Sequence, residues 1–315
     1  MSPSRDTKRH SSVKEYTFAS RGPIFIGGLA HSGKTELRLL LSSHPNISLT
    51  RRTYMWTRFY NRYGDLGSPD NFERCLTAML SEKHVQVLEP DPIRIRREFW
   101  QGLPTYARLF ALFHDHYASR VGKVRWGDQL GFIEHYADPI FAAYPEAKMF
   151  HMIRDPRTRY QSTKSLSRQR KGKVGWDTGR WLYSVSLAKR NQRLYPNQYK
   201  VIQYESFALQ PEQTLRDVCA FIGEDYVTAM RTVIEATSLG DKQGDGLYSE
   251  FELEANSREI TFVQTYARHD MLACGYSPEP IQLSCSDRLL FYCVDLPINW
   301  AGMMAWHTLK NRRLA

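Results

Sequence analysis

The sequence predicts a single α/β domain with a central parallel sheet flanked by helices. Three observations carry this expectation. Short apolar runs alternate with segments of helical spacing, the pattern of parallel strands joined by crossover helices. A glycine loop lies directly between the first such run and the first helical pattern. No long linker divides the chain, and 315 residues suffice for one large domain. The composition, 42% hydrophobic and 24% charged, excludes collagen-like and coiled-coil architecture and whole-chain disorder.

Residues 1–22 read as a flexible basic lead-in, with Arg5, Lys8, Arg9, Lys14 and Arg21 set against Asp6 and Glu15, and they lack the apolar run of a signal peptide. Pro23 to Gly28 is a buried strand that ends in glycines. Leu37, Leu40 and Leu41 then share one helix face. Val85 to Leu88 reads as a second strand, and Tyr106, Leu109, Phe110, Phe113 and Tyr117 as the apolar stripe of a helix. Ala147 to Ile153 is a strand, after which Asp155 and Pro156 supply an N-cap and a proline at the first helical position. Tyr199 to Gln203 is a further strand. Pro211 opens a helix with Leu215, Val218, Cys219 and Ile222 on one face, and residues 256–272 form another. Residues 281–315 are expected as an extension packed on the domain. Within it, Leu289 to Trp306 comes nearest to a membrane span, but Asp295, Pro297 and Asn299 interrupt it. A peripheral contact with anionic lipid stays open there, because apolar residues precede Lys310, Arg312 and Arg313.

The net charge of +10 calls for an anionic partner. Nucleic acid is the weaker choice, because no zinc or aromatic-interleaved pattern accompanies the charge. The five cysteines form no C-x-x-C pair. That excludes a disulfide scaffold and a structural zinc site, and leaves buried, reduced thiols in a cytoplasmic protein as the expectation.

Gly28-Leu29-Ala30-His31-Ser32-Gly33-Lys34-Thr35 completes the pattern G-x-x-x-x-G-K-[ST] between a strand and a helix, which makes the domain P-loop type. Curled backbone N–H groups and the positive end of the helix dipole make such a loop a cradle for phosphate or sulfate oxygens. Taken alone, the loop fits an ATP-dependent kinase or NTPase. Val87-Leu88-Glu89-Pro90-Asp91 would then offer the strand-end carboxylate that holds Mg²⁺. A second anion site follows the strand Ala147 to Ile153. Its end delivers Arg154, and Ser162 stands about two helical turns further on. A guanidinium fork and a hydroxyl can clamp another phosphate, although Arg154 can equally pair with Asp155 at the helix start.

Together these two sites resemble the sulfotransferases that use 3′-phosphoadenosine 5′-phosphosulfate, in which an R/K-S-G-T-T loop and an R-D-P-R strand end with Ser eight residues after the Arg hold the two ends of the donor. Three more segments are similar to that family. They are Leu40-Leu41-Ser42-Ser43-His44-Pro45-Asn46-Ile47, then Arg125-Trp126-Gly127-Asp128, then Tyr204-Glu205-Ser206-Phe207 with the helix from Pro211 to Gly223. The resemblance implies a sulfotransferase domain over residues 23–280. His31, Ser32, Gly33, Lys34 and Thr35 would hold the 5′-phosphosulfate, Arg154 and Ser162 the 3′-phosphate, and no metal would be needed. The chain departs from the pattern where His31 replaces Arg or Lys, Lys34 replaces Thr, and Gln129 replaces a Lys.

Transfer also needs a cation for the leaving phosphate oxygen and a base for the acceptor hydroxyl. Lys34 fits the first role. Some relatives carry a Glu where Thr50-Arg51-Arg52-Thr53 stands here, and that stretch has no carboxylate. Others keep a His in the region matched by Trp126 to Gly131, where Asp128 is the ionisable side chain. Asp128 is therefore the first candidate base, with a purely structural role as its alternative and Glu89, Asp91 and His84 in reserve. The implied acceptor is a small molecule, a glycan or a glycolipid. Tyr54, Trp56, Phe59, Tyr60 and Tyr63, interleaved with arginines, would either line its cleft or pack as ordinary core. A nucleotide-binding protein without catalysis is the third reading.

Overall fold

The computed structural model describes residues 21–164, 172–239 and 257–314. Most of the lead-in, residues 1–20, therefore lies outside the described residues. Five strands appear among them: β1 (Ile24–Gly28), β2 (Ile47–Arg51), β3 (Arg125–Gln129), β4 (Lys148–Ile153) and β5 (Tyr199–Gln203). All are parallel and lie in the order β2-β3-β1-β4-β5. The helices are α1 (Lys34–Ser42), α2 (Met55–Arg58), α3 (Pro69–Ser81), α4 (Lys83–Gln86), α5 (Pro92–Phe99), α6 (Tyr106–Arg120), α7 (Ala137–Ala143) and α8 (Pro156–Lys164). They continue with α9 (Lys173–Leu194), α10 (Tyr204–Leu209), α11 (Pro211–Ile222), α12 (Thr228–Leu239), α13 (Ser257–Ala273), α14 (Cys285–Leu290) and α15 (Leu296–Leu314). No helix of the described residues is long and apolar enough to cross a membrane.

The central strand shows why the sheet must be covered on both faces. Successive side chains of a strand point to opposite sides. Phe25 enters a core with Phe110, Trp126 and Met149, while Ile24 and Ile26 enter another with Leu37, Leu40 and Leu41 of α1 and Leu215 and Val218 of α11. The expected strand at 147–153 and the helices at 106–117, 211–222 and 256–272 fall on observed elements to within a few residues. Ile26 pairs with Gln129, Gly28 with Met152, and Ile153 with Gln203. The strands thus end along one edge, where an open parallel sheet binds its ligands.

The structure corrects two expectations and adds two strands. Val85 to Leu88 is not a strand: Lys83–Gln86 is helical, and Val85 and Leu88 are buried at a spacing of three while Gln86 and Val87 face outward. Arg120 donates to the carbonyls of Glu89 and Leu88, both at 2.9 Å, and fixes the turn. The strands β2 and β3 carry too many polar residues for an apolar run to announce them. Asp128 and Gln129 are nonetheless buried, because β3 lies inside the sheet, and Ser48 and Thr50 of the edge strand β2 are buried as well. Cys75 and Cys219 are buried as expected, with burial raising their thiols to about 12 and about 11, but Cys285 and Cys293 are exposed and Cys274 half-buried.

The last helix packs closely on α9. A Cβ on Gly175 would stand 1.6 Å from the carbonyl of Asn299, so only glycine allows this approach. Trp306 then stacks on Phe132 at 5.8 Å and meets Trp176 edge-on at 5.4 Å.

Gly127 is the corresponding tight point of the sheet. A Cβ there would lie 1.9 Å from the carbonyl of Ile24 and 2.5 Å from Leu49. Gly127→Ala is expected to cost at least ~2 kcal/mol by separating β3 from β1. Urea denaturation should show a lower midpoint with an unchanged slope.

Candidate active site

The loop between β1 and α1 is held from within and from behind. Ser32 is buried, and its hydroxyl donates to the carbonyl of Leu29 at 2.7 Å. Gly33 has φ +84, and a Cβ there would stand 2.5 Å from the ring of Tyr204. His31 also takes a left-handed conformation, φ 63, which His tolerates better than most residues. Behind the loop, the fully buried Glu134 accepts the N–H of Gly28 at 3.0 Å through Oε2, while its Oε1 has no hydrogen-bond partner.

Lys34 opens α1 and is 7% exposed. Its ammonium donates to the carbonyl of Gly28. Burial lowers its pKa to about 8, the charge of Glu134 opposes the fall, and Arg52, Arg180 and Arg159 reinforce it. Burial and the cations Arg159, Arg154, Lys34 and Arg52 also push His31 below its ordinary value, so its imidazole is neutral at pH 7.

Arg154 leaves the end of β4 and reaches back to the glycine loop. Its Nη1 donates to the carbonyl of His31 at 3.2 Å, its guanidinium lies 4.3 Å from the centre of the Tyr204 ring, and its Nε is buried without a partner. Its backbone carbonyl accepts the indole N–H of Trp181 at 2.9 Å. Asp155 does not take Arg154; it caps α8 through the N–H of Arg157 at 2.8 Å and pairs with that residue's guanidinium. Glu205 accepts the N–H of Asp155 at 2.9 Å and the hydroxyl of Tyr276 at the same distance. Ser162 is buried on α8 and donates to the carbonyl of Thr158 at 3.0 Å.

Asp128, the expected base, has no exposed surface. Its Oδ1 accepts from Thr50 at 2.9 Å and its Oδ2 from Thr53 at 2.5 Å, so both oxygens tie β3 to the end of β2. The reserves are also occupied. Asp91 caps α5 by accepting from Ile93 and Arg94 at 3.0 Å, Glu89 lies 3.4 Å from Arg120, and His84 packs edge-on against Tyr54 at 5.0 Å. Because residues 87–91 lie outside the sheet, they supply no strand-end carboxylate for Mg²⁺.

Four residues enter the site that motif reading did not single out. Arg52 stands in the segment after β2 with φ 55, Arg159 comes from α8, Arg180 from α9, and Glu134 from the turn after β3. In the sequence Arg159 is one of several basic residues between Arg154 and Lys173, with no spacing of its own to mark it. Glu134 carried a weaker signal, a lone acid beside Ile133 and Tyr136.

A glycine loop closing a parallel strand, with cations gathered at the same sheet edge, defines a P-loop α/β protein built to hold anionic groups. The model of the sulfotransferase family matches residues 23–228, and the chain belongs to that family. It is a transferase that moves sulfuryl groups. Among solved structures it is similar to the sulfotransferase STF9 from Mycobacterium avium, at 11% identity over 86% of this chain and 80% of that one, with a TM-score of 0.52. It is also similar to the sulfotransferase domain from the curacin biosynthetic pathway, at 15% identity over 82% of this chain and 99% of that one, with a TM-score of 0.50. These likenesses show the fold. No curated protein matches the chain.

Two outcomes follow from this geometry. Asp128→Asn turns one acceptor into a donor facing a threonine hydroxyl. It should lower stability by about 1–3 kcal/mol in chemical denaturation, while turnover per folded molecule stays within about threefold. A loss of turnover by powers of ten without a stability change would restore Asp128 as the base. For Lys34, an anion binds the protonated form, so affinity for a phosphate-bearing ligand should be full below pH 7 and fall as pH rises through about 8. Titration calorimetry from pH 6.5 to 9 measures this.

Proposed function

We propose that the enzyme transfers the sulfuryl group of 3′-phosphoadenosine 5′-phosphosulfate to a hydroxyl of a small molecule or glycan, without a metal ion. The observation that carries this reading is the bridge from Arg154 to the carbonyl of His31, which joins the loop and the strand-end arginine into one cationic cradle. Arg154 also keeps a buried Nε without a partner, as an anion ligand awaiting its oxyanion would. The loop from His31 to Thr35 would hold the 5′ end of the donor, and Arg154 with Ser162 the 3′-phosphate. When bound, the donor supplies an activated sulfuryl group on a phosphate leaving group.

In the transfer, the acceptor oxygen forms a bond to sulfur while the bond from sulfur to the bridging phosphate oxygen breaks. The electron pair stays on the departing nucleotide, and the acceptor's proton passes to solvent water. Lys34 suits the neutralisation of that developing charge, because a buried ammonium acts in a low dielectric. Asp128 is assigned to positioning: with Thr53 it fixes the start of the segment that carries Tyr54 and Trp56. Beyond that segment lies a cavity of about 200 Å³ lined by Phe59, Tyr60, Tyr63 and Tyr106. Its aromatic faces suit the apolar side of a sugar or ring-bearing acceptor. Buried Cys75 and Cys219 fit a cytoplasmic setting.

Kinase chemistry loses its supporting segment with the helical turn at 83–86. Calorimetry separates the two readings. Adenosine 3′,5′-bisphosphate should bind more tightly than AMP and without Mg²⁺, and Arg154→Ala should weaken the bisphosphate at least about tenfold. Equal affinity for the two nucleotides, or tight Mg²⁺-dependent binding of ATP, would overturn the donor assignment.

A further inference from the structure

Arg159 is 1% exposed, and its guanidinium is only partly bonded. Nη2 donates to the carbonyl of Asp177 at 3.2 Å and lies 3.9 Å from that residue's carboxylate, while Nε and Nη1 are buried without partners. Two open positions on a buried guanidinium fork are costly unless a further acceptor completes them. Burial lowers the group only to about 10, so it remains a cation at neutral pH.

Its surroundings say what that acceptor is. From α9 it faces Asp177 and Arg180, and from the end of β4 Arg154. From the loop it faces His31 and Lys34. Among the described residues Asp177 is the acid that acts on Arg159, and it also lies 3.7 Å from Arg180, while Glu134 acts on Lys34. His31 contributes no charge at neutral pH. The group that fits between these side chains is therefore an anion. Its place along the nucleotide follows from the neighbours. Arg159 is the foremost cation acting on His31, ahead of Arg154, and it acts on Lys34 as well. Arg154 also meets the loop, through the carbonyl of His31 at 3.2 Å, but its guanidinium lies over the ring of Tyr204.

We propose that Arg159 is a ligand of the donor's 5′ end, reaching the phosphosulfate from α8 opposite the glycine loop. It supplies there the positive charge that the neutral His31 does not. The proposal rests on the donor reading above and adds a residue to it. A guanidinium fork matches two oxygens of one phosphate or sulfonate, so the site selects the 5′ substituent by geometry as well as charge.

The test is calorimetry of the full chain with three probes: AMP, adenosine 3′-monophosphate and adenosine 3′,5′-bisphosphate. Arg159→Met removes the fork and the buried charge while keeping volume. It should weaken AMP and the bisphosphate at least about tenfold and leave the 3′-monophosphate within about twofold. Arg154→Ala should show the reverse, weakening the 3′-monophosphate and sparing AMP. Arg159→Lys keeps the charge without the fork. It should recover AMP binding in part, and it is the deciding variant if the methionine chain does not fold. Unchanged affinity in a folded Arg159 variant would overturn the proposal, as would a loss confined to the 3′-monophosphate. A wild-type chain that binds none of the three probes would instead overturn the donor reading itself.

Discussion

A lysine and several arginines cannot be crowded against one loop unless something negative shares the space, and in this protein that constraint falls on Glu134. Its carboxylate takes the N–H of Gly28, so it holds the loop and balances it at once. Its charge is the influence that raises the proton affinity of Lys34 against burial and the surrounding arginines. The neighbouring His151, with Nε2 3.7 Å from Oε1, does not cancel it, because complete burial holds that imidazole neutral between Tyr199 and Ser184. One buried acid thus lets a site of strongly positive character exist before any ligand arrives. Breaking a buried pair from one side leaves an uncompensated charge, so both partners are constrained together.

The second support works through backbone and ring rather than charge. Tyr204 fills the space that any side chain at position 33 would need, and its ring also carries Arg154. Glu205, the next residue, accepts the N–H of Asp155 and so fixes where α8 begins. A pair of adjacent residues at the end of β5 therefore sets the separation of the glycine loop and the start of α8. The side chain of Trp181, completely packed, closes the arrangement from α9 by donating to the carbonyl of Arg154.

Much of this was legible in the sequence, and the exceptions have physical reasons. The loop from Gly28 to Thr35 and the pair Arg154 and Ser162 are local, since one strand end and one helix turn carry each. Arg52, Arg159 and Arg180 meet only after β2, α8 and α9 are placed, so no spacing announces them. Val85 and Leu88 looked like part of an apolar run, yet burial at a spacing of three is a helical rule. Asp128 is a different case, since the sequence left both a catalytic and a structural role open. An acid next to a tryptophan in the right region suggested chemistry, but in a parallel sheet its cross-strand neighbour Thr50 and nearby Thr53 absorb both oxygens.

The glycine contact between α9 and α15 has a consequence of another kind. The family match stops at residue 228, whereas Trp306 of α15 stacks on Phe132, and both rings lie beside the guanidinium of Arg180 at 5.7 and 5.3 Å. Gly131, next to Phe132, is close enough to Lys34 that a Cβ there would lie 3.3 Å from the ammonium. The shared core and the terminal helix are thus one mechanical unit. In a chimera that swapped the core of this enzyme for a relative's, the glycine loop would inherit its sequence but not its wall, so α15 has to travel with the core rather than stay behind at the edge of the matched region.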